Sequence, residues 1–167
     1  MSEIPLALMP PDPDAQIRPV RLADADALHL SCWPERPLTA IYRLVLRAQR
    51  QVRQEGGLGI VMTNSSGEVI GYGQFTMWPR CGEISDLVVQ ENYRGRGFGT
   101  TIVQYLMRAA REMHTDCVEI GAAYSNPRAI ALYRRLGFRD SHTISMNLGR
   151  GEEQVLYLRL NLRGKST

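Results

Sequence analysis

Lysine is almost missing from this chain. Lys165 is the only one among the 20 Lys and Arg of 167 residues. The arginines form no dense run with interleaved aromatics and the net charge is only +3, which argues against a nucleic-acid partner. Long apolar stretches are missing too. Nothing nears the ~20 apolar residues of a membrane span. The N-terminal MSEIPLALMPP has neither the basic region nor the apolar core of a secretory signal. His29, His114 and His142 show no ligand spacing, so no metal site is expected. Cysteine is scarce and odd in number: Cys32, Cys81 and Cys117, without a C-x-x-C. That usage reads as buried or free thiols in a reducing, cytoplasmic setting.

What remains is ordinary globular material, 44% hydrophobic and 22% charged. The length suits one domain with a real core. Pro5, Pro10, Pro11 and Pro13 make residues 1–15 read as a flexible arm ahead of a single domain over 16–162.

The most informative stretch runs from Gly82 to Ala110. Ile84 to Val89 is apolar and β-branched, as a buried strand would be. Glu91 to Gly99 is a short turn containing Gly95, Gly97 and Gly99. Phe98, Ile102, Leu106 and Ala110 then recur on one face of a helix. A strand leading through a glycine-rich turn into a helix N-terminus makes an anion site, because unpaired N–H groups converge there and missing side chains let a phosphate approach. The Gly95-x-Gly97-x-Gly99 spacing is not the G-x-G-x-x-G of a dinucleotide fold. No acidic residue on a following strand is well placed to hold a ribose. No Gly-Lys-Ser/Thr follows either, which disfavours a P-loop.

Elsewhere, Gln16 to Val20 reads as a strand, Ala23 to Ser31 as a short helix, and Leu38 to Glu55 as a second helix apolar at Ile41, Leu44, Val45, Ala48 and Val52. Arg43, Arg47, Arg50 and Arg53 lie on or near one face of it, either a solvated face or a docking surface for an acidic partner. Leu58 to Thr63 and Val69 to Met77 flank the turn Asn64-Ser65-Ser66-Gly67 and form a hairpin. Cys117 to Ala122 is a further buried strand. Asn126 and Pro127 start a helix that Gly137 ends, and Phe138 to Met146 and Gln154 to Leu160 close the chain as antiparallel strands. The order is β-α-α-β-β-β-α-β-α-β-β.

Two motifs give this order a family. Arg94-x-x-Gly97-x-Gly99 resembles the Arg/Gln-x-x-Gly-x-Gly/Ala signature of the GNAT superfamily of acyl-CoA N-acyltransferases. Asn126-x-x-Ala129-x-x-x-Tyr133-x-x-x-Gly137-Phe138 resembles its second signature, and the likeness covers residues 16 to 160. The resemblance implies an α/β (α+β) GNAT fold, with a mixed, mostly antiparallel sheet whose central strands splay apart. It implies acetyl-CoA as co-substrate, without a metal. The pyrophosphate would lie on the amides from Arg94 to Gly99, including Gly95, Arg96, Phe98 and Thr100. The thioester arm would lie along Leu87, Val88 and Val89, with Asn126 and Tyr133 also at the cofactor.

The implied reaction is direct attack of a primary amine on acetyl-CoA in a ternary complex. An alkyl amine has a pKa of about 10.4, so a base must first take a proton. Glu83 is the expected base, at the offset before Arg94 where family members that use a strand glutamate carry it. Asp86 is the reserve, and a water relay is open to both. Tyr133 is the expected acid for the leaving thiolate. An acyl-Cys81 intermediate has little to recommend it, since a thioester needs no protein nucleophile. The acceptor is expected to be a small-molecule, peptide or protein amine, and a homodimer is possible. A non-catalytic acyl-CoA-binding sensor is the alternative, against which the presence of both Glu83 and Tyr133 speaks.

Overall fold

The computed structural model describes residues 13–163. The part of the expected N-terminal arm at residues 1–12 lies outside them. Strands β1 (Gln16–Pro19), β2 (Gly57–Thr63), β3 (Val69–Thr76), β4 (Gly82–Val89), β5 (Cys117–Ala123), β6 (Arg139–Asn147) and β7 (Glu152–Asn161) form one sheet in the order β1-β2-β3-β4-β5-β7-β6. Only β4 and β5 run parallel; every other neighbouring pair is antiparallel. Helices α1 (Ala25–Ser31), α2 (Leu38–Arg53), α3 (Phe98–Glu112) and α4 (Pro127–Arg135) complete the expected order.

The two sheet faces carry different cores. Phe98, Ile102, Val103, Leu106 and Ala110 of α3, with Ile130 and Tyr133 of α4, pack on Phe75, Ile84, Val118, Ile120, Leu156 and Leu158. The helical period of α3 meets the alternating period of the strands there. On the other face, Ala25 and Leu28 of α1 and Ile41, Val45 and Ala48 of α2 cover Val20, Val61, Val69 and Tyr72. That second core includes no residue of β5, β6 or β7, so among the described residues no helix covers the outer face of those strands. Val52, expected on the buried stripe of α2, is 51% exposed, because the last helical turn has nothing packed on it at that position. Arg43, Arg47, Arg50 and Arg53 are all exposed.

Local chemistry sets the element ends. The Asn64 side-chain oxygen accepts from the Ser66 and Glu68 backbone N–H groups and closes the β2–β3 turn. At the start of α1, a short 3-10 turn over Leu22–Asp24 puts Asp24 where it accepts from Arg18 at 2.7 and 2.8 Å and from the Arg21 N–H at 2.7 Å. Asn126 caps α4, accepting from the Ala129 N–H at 3.3 Å, with Pro127 as the first helical residue.

The cysteines correct the sequence reading. Cys81 and Cys117 form a disulfide, and Cys32 alone is free and buried. The pair stands 36 residues apart in sequence. It meets because β4 and β5 pair in parallel from Gly82↔Val118 onward, which brings the preceding residues to a Cα separation of 4.9 Å. No spacing rule announces such a cross-strand contact.

Candidate active site

Strands β4 and β5 pair at three positions only: Gly82↔Val118, Glu83↔Glu119 and Ile84↔Ile120. Beyond Ile84 each strand continues, to Val89 and to Ala123, without its neighbour. This is the expected splay. On its other side β4 stays paired with β3, through Tyr72↔Val88 and Gly71↔Val89. The Gln90 N–H donates to Ile70 at 2.8 Å, so by antiparallel alternation the Val88 polar groups also face β3. Those of Leu87 and Val89 therefore face the gap.

A bulge makes that alternation possible. The register slips between Tyr72↔Val88 and Gln74↔Ser85, so β4 carries one residue too many against Gly73. Asp86 sits in the bulge at φ 53°, left-handed backbone that a non-glycine residue seldom adopts. Its carboxylate lies 3.8 Å from the guanidinium of Arg36, on the α1–α2 connection. Arg36 in turn lies over the Trp33 ring, 4.9 Å from its centre.

At the far end of β4 the chain turns through Glu91–Tyr93 into α3. Gly95 and Gly97 have φ of 72° and 86°, and Gly97 is the residue before the first turn of α3. This left-handed geometry aims successive N–H groups into one concavity. Phe98 is buried, so only its backbone reaches that concavity. A Cβ on Gly99 would meet nothing closer than 3.9 Å, so the fold itself leaves room for a larger residue there. Of the arginines, Arg94 donates from Nε to the Val89 carbonyl at 3.0 Å, and Arg96 lies over Tyr93 and Phe98 at 5.2 and 5.7 Å. A third arginine went unnoticed in the sequence. Arg128, in the first turn of α4, brings Nη2 to 3.8 Å of the point where a Gly95 Cβ would stand. Its signal was its place just after Asn126-Pro127, at a helix start that faces the same gap.

Glu83 is half-buried on β4, with its face set by alternation from Ile84, which is sealed in the α3 core. Desolvation raises its carboxyl above the ordinary value, the Trp78 indole N–H bond lowers it, and the charges of Asp86 and Glu119 push it further up. Tyr157 of β7 feels the same carboxylates; burial first, then Glu83 and Glu119, raise its phenol. Tyr133 lies on α4 with its ring 6.3 Å from Phe138, and burial pushes its phenol up to about 12. The fold thus gathers Glu83, Asp86 and the Leu87–Val89 segment on one strand, with the glycine turn at its end. Asn126 caps α4 and Tyr133 lies within it, on the helix that follows β5.

A family model for the acetyltransferase (GNAT) family matches residues 22–138. The chain belongs to that family. It is an acyl-CoA-dependent N-acetyltransferase, with acetyl-CoA as co-substrate. Among curated proteins, an L-methionine sulfoximine/L-methionine sulfone acetyltransferase of Pseudomonas aeruginosa is 28% identical over 148 residues, covering 83% of this chain and 84% of that protein. An N-alpha-acetyltransferase of Sulfurisphaera tokodaii is 30% identical over 103 residues, covering 54% of this chain and 62% of that protein. A Salmonella typhimurium structure solved with its cofactor acetyl-CoA superposes with a TM-score of 0.70 at 21% identity, over 92% of this chain and 96% of its own. At that identity the likeness speaks to the fold alone. No helix among the described residues is long and apolar enough to cross a membrane.

Proposed function

We propose that this chain transfers the acetyl group of acetyl-CoA to a primary amine by direct attack, with Glu83 as the base and Tyr133 as the hydrogen-bond donor to the leaving sulfur. The observation that carries this reading is the three-residue pairing of β4 with β5, which ends one rung above Glu83 and leaves the polar groups of Leu87 and Val89 facing a gap. The amides of a pantetheine arm take up such groups as an added strand would. Gly95 to Thr100 bind the pyrophosphate through backbone N–H groups, with Arg128 supplying charge and Asn126 holding the start of α4 beside it. Acetyl-CoA, when bound, supplies the activated acyl group; the residues around it bind, orient and move protons.

The Leu87 N–H faces the thioester carbonyl and stabilises the charge that develops on its oxygen. Glu83 takes the proton that makes the amine nucleophilic. Its raised pKa suits that task better than an ordinary carboxylate. Tyr133 keeps its proton at neutral pH, with its phenol pushed up to about 12. A thiol loses its proton at about 8.5, so complete transfer from so weak an acid runs uphill. Tyr133 therefore acts by donating a hydrogen bond to the sulfur as negative charge builds there, and the departing thiolate takes up the second proton, which the attacking nitrogen sheds as the amide forms. Cys81 takes no part, because its sulfur is bonded to Cys117.

On this reading the acceptor side carries the carboxylates of Glu83 and Asp86 and the rings of Trp78 and Tyr157. That lining suits a cationic amine, attracted by charge and by ring faces. The relatives' names suggest α-amines first. Thiol release from acetyl-CoA should be measured with methionine sulfone, methionine sulfoximine, spermidine, and short peptides carrying a free N-terminus or a lysine. Turnover with one class fixes the acceptor. Failure with every amine, by protein that binds acetyl-CoA, overturns the amine acceptor.

A further inference from the structure

The middle of the three paired rungs of β4 and β5 sets two carboxylates side by side, Glu83 and Glu119. Neighbouring strands stand about 4.8 Å apart, so residues in register on one face are close neighbours. Two like charges at that distance would oppose each other. The structure answers with a third strand. Arg159 of β7 is the register partner of Glu119 on its other side, and donates to Glu119 Oε1 from Nη2 at 2.6 Å and from Nε at 3.0 Å. The Glu119 side chain is 18% exposed and that of Arg159 47%, so the carboxylate is the sheltered member.

We propose that Arg159 and Glu119 are a positioning pair for Glu83, in which Arg159 neutralises the carboxylate across the strand and so sets the pH at which Glu83 is free to accept a proton. The inference rests on Glu83 being the base. Neither residue needs to touch the acceptor or the acetyl group.

Other groups around Glu83 do not duplicate this arrangement. On its own strand Asp86 is paired with Arg36 of the α1–α2 connection. From the β3–β4 connection Trp78 offers a neutral N–H, and Arg80 lies in the same connection. On β3 the register partner is the uncharged Thr76. From β7 comes Tyr157, whose ring crosses Gly121 of β5 and stacks on His142 of β6 at 5.1 Å. Arg139 of β6 lies in register behind Arg159. Among these, Glu119 is the acidic register partner of Glu83, and Arg159 is the cation bonded to it.

The two single substitutions carry opposite signs. Arg159→Gln bares the Glu119 charge beside Glu83 and moves the acid limb of the kcat/KM profile up by roughly half to one pH unit, a loss of about 3–10-fold on that limb. Glu119→Gln removes the opposing charge, leaves Arg159 unpaired, and moves the same limb down. Arg159→Lys restores most of the wild-type position. A merely structural ion pair would respond alike to loss of either member. The experiment is the pH profile of kcat/KM for wild type, these three variants and Glu83→Gln. Opposite shifts in the two neutral variants support the pair. Shifts of one sign, or a fixed limb that Glu83→Gln abolishes, overturn the pair while leaving Glu83 as the base. A limb that survives in Glu83→Gln overturns both.

Discussion

Replacing Glu83 by Gln tests the catalytic reading at its centre. An acceptor amine with a pKa near 10.4 is only about one part in 10³ unprotonated at pH 7.4. On the proposed mechanism, wild-type enzyme binds the abundant ammonium form and removes its proton at the site. The Gln variant must wait for the rare free amine. It should therefore lose about 10³-fold in kcat/KM at pH 7.4, roughly 4 kcal/mol of transition-state stabilisation, within the range known for general bases. The loss should shrink about tenfold for each pH unit of increase. The same substitution should stabilise the fold. The Glu83 carboxyl is raised above its unfolded value, first by desolvation, so its ionisation opposes folding. That penalty is absent below the unfolded pKa of about 4.3 and fully present above the folded one. Thermal unfolding should show a higher Tm for the variant at pH 7 and no difference near pH 4. Steady-state rates from pH 6 to 10 against a good acceptor make the decisive assay. Parallel wild-type and variant profiles across that range would refute the role of Glu83.

Tyr133→Phe keeps a ring against Phe138 and removes the donor; kcat should fall about 10–100-fold with the KM for acetyl-CoA unchanged, as steady-state kinetics would show. Gly99→Leu meets no protein atom at its Cβ nearer than 3.9 Å. It should fold with a near-normal Tm yet bind CoA at least tenfold more weakly in calorimetry, because the side chain fills the phosphate approach. Asp24→Asn should cost about 2–3 kcal/mol in urea unfolding at pH 7, since it strands Arg18 and loses charge-assisted bonds at a 9% exposed site. Desolvation raises the Asp24 carboxyl, but the bonds from Arg18 and Arg21 outweigh it and leave it low. Its stabilisation is thus present above about pH 3.9 and lost as pH falls through the folded value, so the difference from wild type should vanish in acid.

The order of elements was legible because each left a periodic or capping mark. Phe98, Ile102, Leu106 and Ala110 gave α3 its face, and Asn126, Pro127 and Gly137 gave α4 its two ends. The glycine turn was legible because Gly95 and Gly97 need left-handed backbone. What stayed hidden depends on contacts between strands. The bulge at Asp86 is a slip of register against β3, and no residue type there announces it. The Cys81–Cys117 disulfide, the Glu83–Glu119 rung and the bond from Arg159 all follow from which strand lies beside which. Arg128 escaped notice because its neighbour Gly95 is on a different element.

The register also bears on how Glu83 reaches the amine. The Leu87 N–H, which faces the thioester oxygen on this reading, lies four residues further along β4. At about 3.3 Å per residue that separates the two backbones by up to about 13 Å, somewhat less across the bulge. A glutamate side chain spans less than half of it. The amine must come within bonding reach of the carbonyl carbon, so its proton starts nearer to Leu87 than to Glu83. Asp86 is closer in sequence, but its carboxylate faces Arg36, and a carboxylate held by a guanidinium is a weak base. Ordered water therefore bridges the remaining gap on this reading, and the half-buried, raised carboxyl of Glu83 is the place where the proton ends. Such a base is governed by its charges more than by its contact with substrate. That is why Glu119 and Arg159, which need never meet the amine, have leverage over the rate.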